Sequence, residues 1–318
     1  MEIKLYEDWM RPQVDKLFSD QYSRPIEETS LMMQQFYEHP FQKNKSLRLV
    51  ALDGDIVIGF QSFFYWPYLR NGVIHNTCQS GNSLVHPNYR GKGIFQKLLN
   101  AIEVICKEQQ VELVMGFPVE MSYPSFMKMG WSNPFNLIWY LKMVNPLAFL
   151  FDQQRLDQQF EKAARPIKQS FFQNMFRLNR DEAFEDWIHT TRKMNDYRYF
   201  TFSKGDSQIN FVVKFNKRNK WINELVIGDI KTNSFDETFI KAAFKQLKSK
   251  AFWSCCISIL TIAINENESG PFLRVIQKLG YNKSKWKIYF ITKTMAETTF
   301  DFNQVNQWLL FRSDIDTW

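Results

Sequence analysis

The spacing of apolar and polar positions divides the chain into two similar runs of elements joined by a less regular stretch. Asp8 to Phe18 sets Trp9, Met10, Val14, Leu17 and Phe18 on one face, which predicts a helix. Glu27 to Glu38 predicts a second, with Ser23 or Pro25 near its start and Pro40 past its end. The rest of residues 1 to 46 reads as loop. The period then shortens. Leu47 to Leu52 and Ile56 to Trp66 predict two strands joined at Asp53-Gly54. Asn71-Gly72 marks another turn, and Val73 to Val85 predicts one long or broken strand. Ile94 to Lys107 places Ile94, Phe95, Leu98, Leu99, Ile102, Ile105 and Cys106 on one helix face and Lys97, Asn100, Glu103 and Lys107 on the other. Val111 to Phe117 is almost wholly apolar, the mark of a strand buried on both faces. A short helix from Tyr123 to Met129, closed by Gly130, and a strand from Asn136 to Met143 end the first run.

Residues 144 to about 180, rich in Gln, Phe and Lys, are expected to form a helical connection. The second run predicts a helix (Asp181 to Lys193), a short strand (Tyr199 to Phe202), hairpin strands (Ser207 to Phe215, Lys220 to Ile230) and a helix (Phe235 to Ser249). A strand (Cys255 to Ala263), a helix closed by Gly280 (Phe272 to Leu279) and a strand (Trp286 to Thr292) follow. The order repeats the first run. Lys128-Met129-Gly130-Trp131 is echoed by Lys278-Leu279-Gly280-Tyr281, with the two glycines 150 residues apart. We therefore expect a degenerate internal duplication: residues 1–145, a connection over 146–180, and a second copy over 181–318. The fold class is α/β (α+β), a mixed, mostly antiparallel sheet flanked by helices.

Composition adds a sign and a compartment. The chain has 318 residues and a formal charge of +7, which favours anionic partners. Its 30 Phe, 12 Tyr and 10 Trp supply core. Cys78, Cys106, Cys255 and Cys256 form no metal-ligand pattern and read as reduced core thiols of a cytoplasmic protein, the last two on alternate faces of a strand. The N-terminus lacks the apolar region of a signal peptide. The apolar run Pro146 to Phe151 falls well short of the roughly 20 residues that span a bilayer. No metal and no nucleic acid are expected, and the oligomeric state is left open.

The chemistry gathers at Arg90-Gly91-Lys92-Gly93-Ile94, a basic glycine turn between a strand and an amphipathic helix. Glycine permits close backbone approach, and the first helix amides with the helix dipole attract an anion. A dinucleotide fingerprint needs a third glycine where Gln96 stands, and a Walker A loop needs Lys-Ser/Thr where Ile94 and Phe95 stand; both readings fail. In the second run, Lys231 to Asp236 has no glycine and carries an acid at the helix start, so it is not expected to hold a pyrophosphate.

This stretch resembles the acyl-CoA-binding loop of the GNAT superfamily of N-acyltransferases, Gln/Arg-x-x-Gly-x-Gly/Ala. Arg90 and Gly93 match, and Phe95 replaces the final small residue. The strand-His-Pro turn before the loop, the helix after it and the Lys128 to Trp131 helix end are also similar. The resemblance covers roughly residues 1 to 145. It implies that backbone amides from Arg90 through Gly91, Lys92, Gly93 and Ile94 to Phe95 hold the coenzyme A pyrophosphate. Leu84 and Val85 would line pantetheine as if it were an added strand, and Arg90 and Lys92 would add charge. The implied activity is transfer of an acyl group, acetyl first, to an amine such as an amino sugar, another small amine or a peptide. Many members place an acidic Tyr four residues before the closing glycine; here that residue is Phe126. Glu120 as base and Tyr123 as acid are the candidate substitutes, being expected near the open end of the groove. His75, His86, Ser83, Ser122 and Cys78 are weaker candidates. A non-catalytic acyl-CoA-binding regulator, or a Fem-like aminoacyl transferase using aminoacyl-tRNA, are the alternatives; the intact loop argues against the last.

Overall fold

The computed structural model describes residues 1–162, 174–191, 197–267, 271–298 and 301–316. In chain order the first half contains β1 (Glu2–Leu5), α1 (Arg11–Tyr22), α2 (Ile26–Tyr37), β2 (Leu47–Asp53), β3 (Ile56–Tyr65), β4 (Tyr68–Arg70) and β5 (Val73–His75). β6 (Thr77–Val85), α3 (Ile94–Glu108), β7 (Leu113–Gly116), α4 (Tyr123–Lys128) and β8 (Ser132–Met143) complete it. The second half contains β9 (Arg177–Leu178), α5 (Glu182–Thr191), β10 (Tyr197–Lys204), β11 (Ser207–Asn219) and β12 (Ile222–Thr232). α6 (Glu237–Trp253), β13 (Ile259–Asn265), α7 (Pro271–Lys278) and β14 (Asn282–Thr294) follow.

Eleven strands form one sheet in the order β1-β2-β3-β6-β7-β14-β8-β13-β12-β11-β10. Only β6–β7 and β12–β13 are parallel; the other neighbours are antiparallel. The order is a palindrome of the duplication, with one exchange at its centre. β14, the last strand of the second run, lies between β7 and β8 of the first, with Ile291 opposite Gly116 and Phe290 opposite Phe135. β8 in turn pairs with β13, Trp139 opposite Ala263. Each run's last strand thus completes the other run's sheet.

One face of the sheet packs against α3 and α4 in the first half and α6 and α7 in the second. α3 buries Ile94, Leu98, Leu99, Ile102 and Cys106 as its periodicity predicts, but leaves Phe95 and Ile105 half-buried and buries Glu103, which the periodicity sets on the polar face and an ion pair draws inward. The opposite face carries α1, α2, α5 and the segment after β14. There Trp66, Phe176, Phe184, Trp187, Phe290 and Trp308 form an aromatic core drawn from both halves. A cross-half ion pair joins α3 to β14: buried Glu103 accepts from Trp131 Nε1 at 2.9 Å and from Lys293 Nζ of β14 at 2.6 Å.

Several expected elements differ. β1 stands where loop was expected, because a four-residue edge strand with a mostly exposed pattern leaves no apolar alternation to read. The first helix starts at Arg11, after a 3-10 turn at Asp8–Met10. The Val73 to Val85 strand is broken, with β5 in a separate three-stranded sheet with β4 and β9. Cys255 and Cys256 precede β13 in the turn after α6, where Cys255 has φ 62°, so they do not alternate along a strand. Cys78, Cys106 and Cys256 are buried and Cys255 is half-buried; all four are free thiols. The connection carries 3-10 turns at Ala148–Leu150 and Gln153–Gln158; residues 163–173, like the expected helix end at 192–193, lie outside the described residues. No helix among the described residues is long and apolar enough to cross a membrane.

Two outcomes follow. Glu103→Ala strands Lys293 and the Trp131 indole and is expected to cost about 2–3 kcal/mol in urea unfolding. A fragment of residues 1–145 lacks β14, leaving β7 and β8 without their shared neighbour, and is expected to show no cooperative unfolding transition.

Candidate active site

The site begins where a parallel strand pair stops. β6 and β7 pair only from Thr77 opposite Leu113 to Ser80 opposite Gly116. β7 ends there, while β6 runs on to Val85, held on its other side by β3 through Leu84 opposite Phe60 and Val85 opposite Gly59. Asn82, with φ 49°, and a bulge in the β3 pairing mark the divergence. Beyond it, the β6 edge that faces away from β3 has no strand partner among the described residues. Into that gap opens a cavity of about 740 Å³. Ser83, Leu84 and Val85 form one wall, Arg90, Gly91, Gly93, Ile94, Phe95 and Gln96 its end, Gln21 and Tyr22 of α1 one rim, and Val119, Met121, Ser122 and Ser125 the other. Met121 is 92% exposed and Val119 70%, an apolar rim where a ligand would cover it.

The closed end is a helix N-terminus without a cap of its own. Gly93 occupies the N-cap of α3 with φ 73°, a left-handed conformation in which a side chain is strained, and no side chain bonds the first-turn amides. The corresponding helix α6 is different: Asp236 accepts from the Phe239 amide at 2.6 Å and fills that place itself. The two matching helices thus differ at their starts: α3 has no side-chain cap and α6 has one.

The family model described as "Acetyltransferase (GNAT) domain" matches residues 3–133. The whole chain is similar in fold to a GCN5-related N-acetyltransferase from Anabaena variabilis ATCC 29413, with TM-score 0.63 and 12% identity over 92% of this chain and 73% of that one. It is similar also to a tandem GNAT protein from the clavulanic acid biosynthesis pathway, with TM-score 0.50 and 12% identity over 93% and 100%. N-myristoyltransferase from Saccharomyces cerevisiae, with bound myristoyl-CoA, shares the fold at TM-score 0.53 and 8% identity over 93% and 83%. No curated protein matches the chain in sequence. The mixed sheet and the duplication expected from the chain are those of a tandem GNAT fold.

Seven of the eight expected cofactor residues line the cavity: Leu84, Val85, Arg90, Gly91, Gly93, Ile94 and Phe95. The eighth, Lys92, lies with its ammonium 4.7 Å from the Tyr89 ring centre. The Arg90 guanidinium is already engaged, donating to Val85 O at 3.1 Å and to Gln21 Oε1 at 2.5 Å, so it ties the loop to β6 and α1. Phe95, half-buried at the cavity's end, packs edge-on against buried Phe126, which in turn packs on Trp131. Glu120 is exposed on the loop between β7 and α4. Tyr123 is half-buried, its ring stacked on Tyr289 of β14 at 4.2 Å and its hydroxyl 3.5 Å from Asn133 Oδ1. Both flank the cavity rim without lining the cavity. His75 is paired with Glu112 at 2.8 Å, and His86 accepts from the Asn88 amide in its turn.

The opposite face of the divergence holds groups that the sequence did not single out. Tyr37 of α2 is buried, shares a 2.6 Å hydrogen bond with Ser62 and accepts from Asn82 Nδ2 at 2.7 Å. Burial pushes its phenol up to about 12, against the pull of those hydrogen bonds, so it stays protonated at neutral pH. Gly81, at the end of the paired segment, has no room for a Cβ: Phe64 Cε1 would lie 2.5 Å away and Asp316 Oδ2 3.0 Å away. Asp316 belongs to the segment after β14, which crosses this face. That segment is anchored two residues earlier. The largely buried Arg180 donates to Asp314 Oδ1 at 3.1 Å and to Ser313 Oγ at 2.6 Å, and Trp66 Nε1 donates to Asp314 O at 3.0 Å. Asp229 lies 3.9 Å from the same guanidinium. Burial pushes the Asp314 carboxyl up to about 6, with Arg180 opposing. No periodicity marks this segment, and an isolated Asp near the end of the sequence carries no motif.

Arg180→Met leaves Asp229 and Asp314 buried without their cation and is expected to cost about 3–5 kcal/mol. A carboxyl whose folded pKa is raised favours the fold at low pH and loses that contribution as pH rises through the folded value. The cost should therefore be smaller at pH 5 than at pH 8 in urea unfolding. Gly81→Ala is expected to displace the Phe64 ring at about 1–3 kcal/mol, read as a lower thermal midpoint.

Proposed function

We propose that the protein is an acyl-CoA-dependent N-acyltransferase that moves an acyl group, acetyl in the first instance, to the amine of a small molecule or peptide. The observation that carries this reading is the conjunction of the open β6 edge with the uncapped α3 N-terminus at the two ends of one cavity. Pantetheine carries amides that pair with a strand edge, and a pyrophosphate suits free helix amides in a positive field. Leu84 and Val85 would hold the first. The amides from Arg90 and Gly91 through Lys92, Gly93 and Ile94 to Phe95 would hold the second, with the Lys92 ammonium adding charge. This threading puts the thioester near Ser80 to Asn82, where β6 and β7 part. The positive net charge mildly favours an acceptor with an anionic group, and the second half would shape the acceptor side.

At the cavity rim, Tyr123 and Glu120 remain the proton-handling candidates on the α4 side, Tyr123 for the departing sulfur and Glu120 through water. The buried Phe126 favours one rival reading, an acyl-CoA-binding regulator without turnover.

Calorimetric titration with acetyl-CoA is expected to show binding, and Gly93→Trp, which forces a side chain into the left-handed position, to abolish it. No binding at millimolar acetyl-CoA would refute the proposal. Steady thiol release over the hydrolysis blank with a panel of amines separates the enzyme from the regulator. In that assay Tyr123→Phe and Glu120→Gln are each expected to lower kcat by about tenfold or more, with acetyl-CoA affinity unchanged.

A further inference from the structure

The two faces of the strand divergence are chemically unlike. On the α4 side the cavity presents Ser122, Ser125 and apolar groups, and the residue nearest a family acid is buried Phe126. On the α2 side, the Asp316 carboxylate reaches Gly81, the residue just past the last β6–β7 pair. Asp316 is half-buried, so a carboxylate there is partly desolvated yet reachable from solvent. The titratable neighbour on α2, Tyr37, stays protonated and points its hydroxyl into Ser62 and Asn82, which removes it as a base. Two residues earlier, Arg180 and Trp66 bond Asp314 and so anchor the segment that carries Asp316.

We propose that Asp316 is the general base of the transfer, and that the amine approaches the thioester from the α2 side, between α2 and the segment that follows β14. The inference rests on the acyltransferase reading above. The ammonium of the acceptor gives one proton to the Asp316 carboxylate, which frees the nitrogen lone pair. The nitrogen attacks the thioester carbonyl, the C–N bond forms and the C–S bond breaks. The surplus proton on the new amide nitrogen ends on the departing sulfur as the thiol, and Asp316 returns its proton to solvent. The substrate class is thus an amine protonated at neutral pH, since only such an amine needs this carboxylate.

The test measures thiol release from acetyl-CoA with spermidine, glucosamine, lysine and a glycine-terminated peptide, taking the amine that turns over fastest, and with hydroxylamine, which is already neutral at pH 7. Asp316→Asn is expected to lower kcat with the protonated amine by about 10²–10⁴-fold, the range of a lost general base. The KM for acetyl-CoA and the thermal midpoint should stay unchanged. The loss with hydroxylamine should be at least tenfold smaller, and Asp316→Glu should restore part of the rate. A kcat for Asp316→Asn within threefold of wild type overturns the inference and leaves the acyltransferase reading standing. So does an equal loss with both kinds of acceptor, since that marks a structural role. Absence of turnover by the wild-type protein with every acceptor removes the acyltransferase reading and the inference together.

Discussion

β14 is hydrogen-bonded on both of its edges to strands from the other half of the chain, β7 on one side and β8 on the other. This wedge makes a single sheet from two runs of elements. It also sets what lies around the divergence of β6 and β7. With β14 in place, β7 is paired along its short length and stops at Gly116, while β6 continues alone. The Lys293 to Glu103 pair then ties the wedge to the helix whose N-terminus ends the cavity. The segment following β14 is thereby delivered to the far face of the same divergence, where Asp316 meets Gly81. A cavity built almost wholly from the first half thus depends on a strand of the second.

The two halves started from one pattern and differ where a phosphate would bind. Gly93 leaves the α3 amides without an internal partner, and Asp236 supplies one for α6. A carboxylate at a helix start satisfies donors and suits the dipole, so it stabilises the helix while removing the anion site. The second half gains a closed helix and a packed core around Ile240, Phe244 and Leu247. Its contribution to the site comes through placement: aromatic packing under α5 and the Arg180 anchor.

The loop, α3 and the duplication were legible in the sequence because each follows from local rules. Glycines at a strand-to-helix turn, a 3.6-residue apolar period and a repeated helix end are all short-range signals. The identity of a strand's neighbour is not of that kind. Phe290 and Ile291 alternate as they would in any buried strand, and nothing in that alternation states that their partners are Phe135 and Gly116. The same holds for Asp316, whose meaning lies in a contact with a residue 235 positions earlier. Phe126 shows in the sequence only as a missing acid; in the fold its ring is part of an aromatic cluster with Phe95 and Trp131, so the two bulky residues belong together.

The wedge also has a consequence for the chain as it is made. The exposed edge of β7 emerges at Gly116, but its partner is not complete until Thr294. At about 5–20 residues per second, the interval is on the order of ten to forty seconds. For that time the growing chain holds a buried-type strand, Leu113 to Gly116, with one edge unpaired. The first half therefore has to wait for the second, and the order of synthesis, rather than the strength of either core, determines how long this edge is open to a wrong partner.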